Sequence, residues 1–500
     1  MSTPVAVTDD VQARLDEVRT HEWKMLVGGE LVPARSGATF TTWSPSTLDP
    51  IAEVPDPAAE DIDEIVQAAA RGAEEWGRMS VQDRAKAVRR LTEALAEHEA
   101  ELGFLDALDG GNPVTAMRGD VRMSVELMQL YTDWALELKG ETIPATPDHL
   151  HYTVREPYGV VVRIVPYNHP LMFAAARSAA PLVAGNSVIV KAPDQTPLSA
   201  LRLGEIWKDL LPPGVFSVVG GQGATVGDAL VRHPLVRRIA FIGSVPTGQA
   251  IMRAAAESGV KNVTLELGGK NPMIAFPDAD VDRVIDGAVR GMNFHWTAGQ
   301  SCGSNSRLLL HESLVDKVLP GVIEGVEAVR MGSPLDPDTQ MGTMVSQAQF
   351  DKVMRYIGYG RDQGATLLTG GGRPEGAEFE RGHYIAPTVF GDVTPDMRIA
   401  QEEIFGPVMS VLTFRDEDEA VALANGVDYG LTASVWTNDL RRAHRMAARV
   451  ASGFVWVNDS SKHFPGAPFG GYKNSGVGRE EGLEEMLSFT QVKTVNVNLV

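Results

Sequence analysis

The stretch GVVVRIVPYNHP, Gly159–Pro170, decides the fold. Its first eight residues form a near-continuous apolar run, the pattern of a strand buried on both faces of a parallel sheet. A helical segment follows, Leu171–Val183. The alternation then repeats: strand NSVIVKAP, helix Leu198–Leu211, strand VFSVVGG, helix Ala224–Arg232, strand RRIAFIGS, helix Thr247–Ser258 and strand NVTLELGG. Strands alternating with helices in this way make an α/β fold, a parallel sheet with helices on both faces. Ligands of such sheets bind beyond the carboxyl ends of the strands. The residues at those ends are Asn168, Lys191, Gly220, Ser244 and Glu266.

On the amino-terminal side, the first 60 residues read as strands and turns around Gly28, Gly29 and Gly37. Apolar residues at three- and four-residue spacing then predict scaffold helices over Asp61–Trp76, Val81–Leu105 and Gly119–Leu138. Beyond Glu266 a second α/β pattern begins with helix Val281–Met292 and a loop around Cys302. Strand RLLLH, helices Leu314–Val329 and Ser346–Arg361, and strands ATLLTG and PVMSVLTF come next. Helix Glu417–Ala424, strand LTASVWT, helix Leu440–Val450 and strand GFVWVN complete it. Two further segments, HLHYTVREP and the final TQVKTVNVNLV, alternate in the manner of strands. They fit pairing with another subunit and pairing within the chain equally well.

Five hundred residues exceed what one core usually supports, so two or three domains are expected. A net charge of −20 disfavours nucleic acid and anionic membranes as partners. A single cysteine excludes intrachain disulfides and CxxC zinc sites, and the eleven histidines form no ligand pair of the HExxH kind, so no metal is expected. The amino terminus has no basic region followed by an apolar core, and no apolar stretch is long enough to span a bilayer. A cytoplasmic location is the expectation.

That single cysteine, Cys302, lies in TAGQSCGSNS, among Gly, Ser and Asn rather than on an apolar face. Loops held on a rigid scaffold are where nucleophiles often sit. In VPYNHP the amide of Asn168 stands between Pro166 and Pro170, stiff enough to donate to a developing oxyanion. An ordinary turn would look the same. In KAPDQTP, Lys191 and Asp194 can bracket a diol, or form a plain solvated ion pair. GGQGATVG, Gly220–Gly227, is a weak dinucleotide fingerprint. In FIGSVPTG, Gly243 and Ser244 precede a helix whose N-terminus would face a pyrophosphate, though Ser is also a good cap. Glu266 ends the last strand, where partial burial would suit a general base.

Together VPYNHP, VIVKAPDQTP, FIGSVPTG, LELGGKNP, GQSC, EEIFGPV and PFGGYKNSGVGREEG resemble the aldehyde dehydrogenase superfamily along nearly the whole chain. The resemblance implies a Rossmann-like NAD-binding domain (1–138 and 157–265) and an α/β catalytic domain (266–483). It also implies strands at 139–156 and 484–500 that build a homodimer or homotetramer. Carried over by residue, Cys302 is the nucleophile, Glu266 the base, and Asn168 with the Cys302 N–H the oxyanion hole. Lys191 and Asp194 fall at the adenosine ribose, and Gly243 and Ser244 at the pyrophosphate. Glu403 falls at the nicotinamide ribose, with Phe405 beside the nicotinamide. Ile164, Pro166, Gly223, Gly227 and Leu267 complete the implied cofactor set, and Glu480 matches an acid that relays protons in some members.

Three residues depart from the family pattern: Asp194 where Glu is commoner, Arg177 where Lys is common, and Thr297 at a usual Asn. The short acid still disfavours a 2′-phosphate, so NAD is expected, with NADP possible. An always-charged Arg cannot pass a proton. By the same resemblance the substrate pocket is formed by His169, Phe173, Ala176, Trp296, Ser301, Gly303, His463 and Phe469, with Ser460, Ser461 and Lys462 nearby. Small Ala176 and Gly303 suggest a roomy pocket for a medium-sized aldehyde, aromatic or with a polar tail. The expected reaction is NAD-dependent oxidation to the carboxylic acid through a thioester. A CoA-acylating enzyme and a non-catalytic binding or structural relative are the alternatives.

Overall fold

The computed structural model describes residues 9–500. The apolar run opening the sequence argument is the central strand, Val160–Ile164, of a sheet whose parallel part has five strands. Their spatial order is Phe216–Val219, Ser187–Lys191, Val160–Ile164, Val236–Ile242, Asn262–Glu266, all parallel. The chain order therefore reverses between Val160–Ile164 and Val236–Ile242, and the crevice outside their carboxyl ends is where such folds bind ligands. Antiparallel additions close both edges: Met25–Val27 against Phe216–Val219, and Gly476–Val477 against the end of the Glu266 strand.

A second sheet of seven strands carries the other core. Its centre is Arg307–His311, flanked by Pro272–Ala275 and Val408–Phe414, and only the edge strand Thr366–Thr369 runs antiparallel. Pro272–Ala275 and Thr388–Gly391 also belong to this sheet, although the sequence reading did not set them out. The short link from Glu266 to Pro272 joins the two sheets, so anything at its ends faces both.

The amino-terminal region departs from expectation in three places. Asp9–Thr20 is a helix, carried by a sparse stripe of Val11, Leu15 and Val18 on the first core. The helix expected over 81–105 is two, Val81–Glu97 and Glu99–Gly110, broken at His98, where the backbone leaves helical geometry. The apolar stripe runs across the break because both helices bury a face. The third scaffold helix starts at Val114, directly after Pro113, and ends at Asp133.

HLHYTVREP and the terminal strand pair with each other. His149–Pro157 lies antiparallel to Thr490–Asn498 through nine residue pairs, and Thr142–Thr146 adds a third strand. Leu150, Ile143 and Val492 remain exposed on this small sheet. No helix among the described residues is long and apolar enough to cross a membrane.

Candidate active site

Two adjoining cavities follow the carboxyl ends of the first sheet. The outer one is bordered by Ile164, Pro166, Lys191, Asp194, Gly223, Gly227, Gly243 and Ser244. The inner one runs from Pro166 and Ser244 past Leu267 to Glu403, Phe405 and Cys302. Every residue expected at the cofactor thus borders one continuous crevice. Lys191 ion-pairs with Asp194, whose other carboxylate oxygen accepts from the Gly223 N–H at 3.1 Å. Burial pulls the Lys191 ammonium below its usual range, against the pull of Asp194. Gly223–Gly227 forms a single π-helical turn, a form common at functional sites.

Ser244 caps helix Val245–Ser258, its hydroxyl accepting from Thr247 N–H at 3.4 Å. Gly243 N–H is spent on Glu266 O at 3.0 Å, and Pro246 has none to offer. Only the N–H groups of Ser244 and Val245 are left for a pyrophosphate, fewer than an open helix N-terminus provides. Glu403 accepts from Gly269 N–H at 2.9 Å, and burial pushes its carboxyl up. Gly268 permits this approach, since a Cβ there would sit 2.2 Å from the carboxylate. A bracketing acid and base, two free N–H groups and an acid at the inner end are donors and acceptors of the kinds a dinucleotide requires.

The inner cavity ends on Cys302, beside Glu266 and Asn168. The Asn271 amide fixes the thiol's loop by donating to Cys302 O at 2.6 Å and Ser304 O at 2.9 Å. Gly269 is needed there, because a Cβ would meet Cys302 O at 2.8 Å. The Asn168 side-chain amide has no partner among the described residues, and the Cys302 N–H lies against its own sulfur. Asn112 secures Asn168 through its backbone, donating to Asn168 O at 3.0 Å. Burial, then the acids Glu403 and Glu266, push the Cys302 thiol up to about 12. Neither carboxyl oxygen of Glu266 has a hydrogen-bond partner, and burial, reinforced by Glu480, raises its pKa well above the carboxylate range.

On the far side of Cys302 lies a second pocket, bordered by His169, Phe173, Trp296, Ser301, Gly303, His463 and Phe469. Ala176 is fully buried and does not border it: Phe173 and Arg177, one helical turn apart, cover that stretch of wall with longer side chains. The pocket is narrow rather than roomy, because rings close on it. His169 packs on Trp296 at 5.0 Å and His463 on Phe469 at 4.8 Å between ring centroids. Ser461 borders the pocket, whereas Ser460 accepts from Asn305 and Lys462 lies over Phe464.

Glu480 also borders it, buried and ion-paired to Arg163 at 2.8 Å and Arg177 at 3.1 Å. Arg177 further grips Glu481 at 2.7 Å. Burial acts to raise Glu481, but His463 and Arg177 outweigh it and hold that carboxyl at about 2. Sequence reasoning missed Tyr167, Gln349 and Lys352 in the crevice, and Asp120 and Glu481 behind the pocket. For Asp120 a signal existed: a lone acid on the buried face of Val114–Asp133, between Met117, Val121 and Ser124.

A doubly wound sheet with a crevice beyond its carboxyl ends that leads to a half-buried thiol fits an NAD(P)-dependent dehydrogenase. The model of the aldehyde dehydrogenase family matches residues 31–495. The aldehyde dehydrogenase tropH of Talaromyces stipitatus is 48% identical over 465 residues, covering 92% of this chain and 90% of that protein. The NAD+ complex of an aldehyde dehydrogenase from Bacillus cereus is 40% identical, with a TM-score of 0.94 and full coverage of both chains. A 3,6-anhydro-L-galactose dehydrogenase in complex with NAP is 33% identical, with a TM-score of 0.93 over 96% of this chain and 100% of that one. The chain belongs to the aldehyde dehydrogenase family and is an aldehyde-oxidising enzyme that uses NAD(P).

Proposed function

We propose that the enzyme oxidises a medium-sized aldehyde, aromatic or with a polar tail, to the free carboxylic acid through a thioester on Cys302. The observation that carries the chemistry is the meeting of Cys302, Glu266 and Asn168 where the crevice and the ring-lined pocket join, and the pocket's aromatic lining supports a flat substrate. The Cys302 thiol gives its proton to solvent, the thiolate sulfur bonds to the aldehyde carbon, and the carbonyl electron pair moves onto oxygen. That oxygen is received by the free Asn168 amide and the Cys302 N–H, donors set in place before charge develops. The nicotinamide, when bound, supplies the acceptor for the hydride that leaves the same carbon. Water then adds to the thioester, Glu266 takes its proton, the C–S bond breaks and the acid departs. A buried carboxyl with a raised pKa and no hydrogen-bond partner is suited to that proton. Free acid formed at full rate without CoA tests this reading; acyl-CoA as the only product sinks it.

Asn168→Ala leaves the Asn112 contact intact, because Asn112 holds the backbone oxygen. It should lower kcat about 10²–10³-fold, the usual cost of one oxyanion donor, with the dissociation constant of NAD unchanged by fluorescence titration. A loss confined to KM would remove Asn168 from this role.

Asp194 supports NAD over NADP. By the family resemblance its carboxylate falls at the adenosine ribose, where it would repel a 2′-phosphate, and Lys191 is ion-paired to it. Asp194→Ala frees that ammonium and should raise the NADP-to-NAD ratio of kcat/KM about tenfold or more. An unchanged ratio would place cofactor choice elsewhere. The exposed apolar residues of the small sheet, Ile143, Leu150 and Val492, favour a homo-oligomer built through it. A monomer by light scattering at micromolar concentration would exclude this.

A further inference from the structure

Two histidines border the ring-lined pocket, and each is held at one ring nitrogen by a buried carboxylate. His169 Nδ1 lies 2.7 Å from Asp120 Oδ2, and His463 Nδ1 lies 3.1 Å from Glu481 Oε2. Both acids are themselves anchored: Trp296 Nε1 donates to Asp120 Oδ1 at 2.8 Å, and Arg177 Nη2 to Glu481 Oε1 at 2.7 Å. A carboxylate only accepts, so a ring in its neutral form carries its proton on Nδ1 and its lone pair on Nε2. Neither Nε2 has a protein partner, and neither belongs to the sealed, partnerless buried atoms. His169 is only 5% exposed, so its Nε2 opens on the pocket itself.

The pocket therefore offers the His169 acceptor between flat apolar surfaces, with the half-buried His463 beside it. It offers no free Lys or Arg side chain: Arg177 is the one such side chain among the described residues of its wall, and Glu480 and Glu481 engage it. A carboxylate tail would find no counterion and would face acceptors. A hydroxyl group would find a partner for its proton. We infer that His169 and His463 select planar, uncharged aldehydes carrying a hydroxyl group at the end away from the carbonyl, which donates to a ring Nε2. This rests on the proposed aldehyde oxidation and adds the substrate class.

The test compares benzaldehyde, its 3- and 4-hydroxy and 3- and 4-methoxy derivatives, and 4-formylbenzoate by NADH formation. One hydroxyl isomer should exceed its methoxy counterpart and the formylbenzoate about tenfold or more in kcat/KM, chiefly through KM. His169→Phe or His463→Phe should collapse that ratio, and the matching Gln variant, which keeps an acceptor, should restore part of it. Methoxy or carboxylate substrates as good as the hydroxylated ones would overturn the inference. So would variants that lower every substrate in proportion. If the variants do not fold, the wild-type ranking decides alone. Absence of NADH with every aldehyde would instead bring down the proposed oxidation, and the inference with it.

Discussion

Cys302→Ser should lower NADH formation about 10⁴-fold or more, the scale on which removing a covalent nucleophile acts. The substitution changes one atom and little shape, so the fold and the crevice persist. Its effect is chemical. The site already holds the thiol at about 12 by burial and the neighbouring acids Glu403 and Glu266. A hydroxyl starts far less acidic than a thiol and meets the same burial and the same acids. Its ionised fraction at neutral pH is negligible, and an ester formed on it would be a poorer acyl donor than a thioester. NAD should still bind with unchanged affinity, since Cys302 only borders the inner end of the crevice. Titration of NAD alongside the rate assay separates lost chemistry from lost fold. Activity within tenfold of the parent would end the proposed mechanism.

The parallel sheet was legible because its strands are buried on both faces, and GVVVRIVP or NSVIVKAP can be little else. The second sheet was less so. Pro272–Ala275 sits directly behind LELGGK, too short to show a period, yet it joins the two cores. Crevice residues such as Lys191, Ser244 and Glu266 were legible because they stand at or just past strand ends, a position that sequence order supplies, whereas Glu403 and Phe405 lie in a loop and came only from the family resemblance. The acids that hold the pocket's rings were not. Asp120 and Glu481 act by holding other side chains, and their partners are distant in sequence: Trp296 lies 176 residues from Asp120. No periodicity encodes such a pairing. Ala176 misled for a related reason: a small residue suggests space only if it faces the cavity, and the longer side chains of Phe173 and Arg177 cover its stretch of wall. Glu480 shows the limit of motif transfer. Its position is as expected, but Arg163 and Arg177 clamp its carboxyl in ion pairs, and Arg177 cannot give up a proton.

Glu266→Gln should separate the two halves of the reaction. Attack and hydride departure need the Cys302 sulfur and the oxyanion donors, whereas hydrolysis needs a group that takes the proton of water. The variant should give an NADH burst of about one equivalent per site, then turn over about 10²–10⁴-fold more slowly, the typical worth of a positioned base. Mass spectrometry of the stalled enzyme should find the acyl group on Cys302. The pH dependence follows with a definite sign. Only ionised Glu266 can accept a proton, and burial and then Glu480 raise its pKa well above the carboxylate range. Steady-state activity in the parent should therefore be full at alkaline pH and fall as pH drops through a limb well above that range. The slow phase of Glu266→Gln should lack this limb, because the amide does not titrate. The burst rate keeps its own rise with pH from the raised Cys302 thiol in both proteins. A variant with no burst at all would mean that Glu266 also takes the thiol proton before attack, and the division of labour between the halves would have to be redrawn. A variant with parental turnover would remove Glu266 from the chemistry.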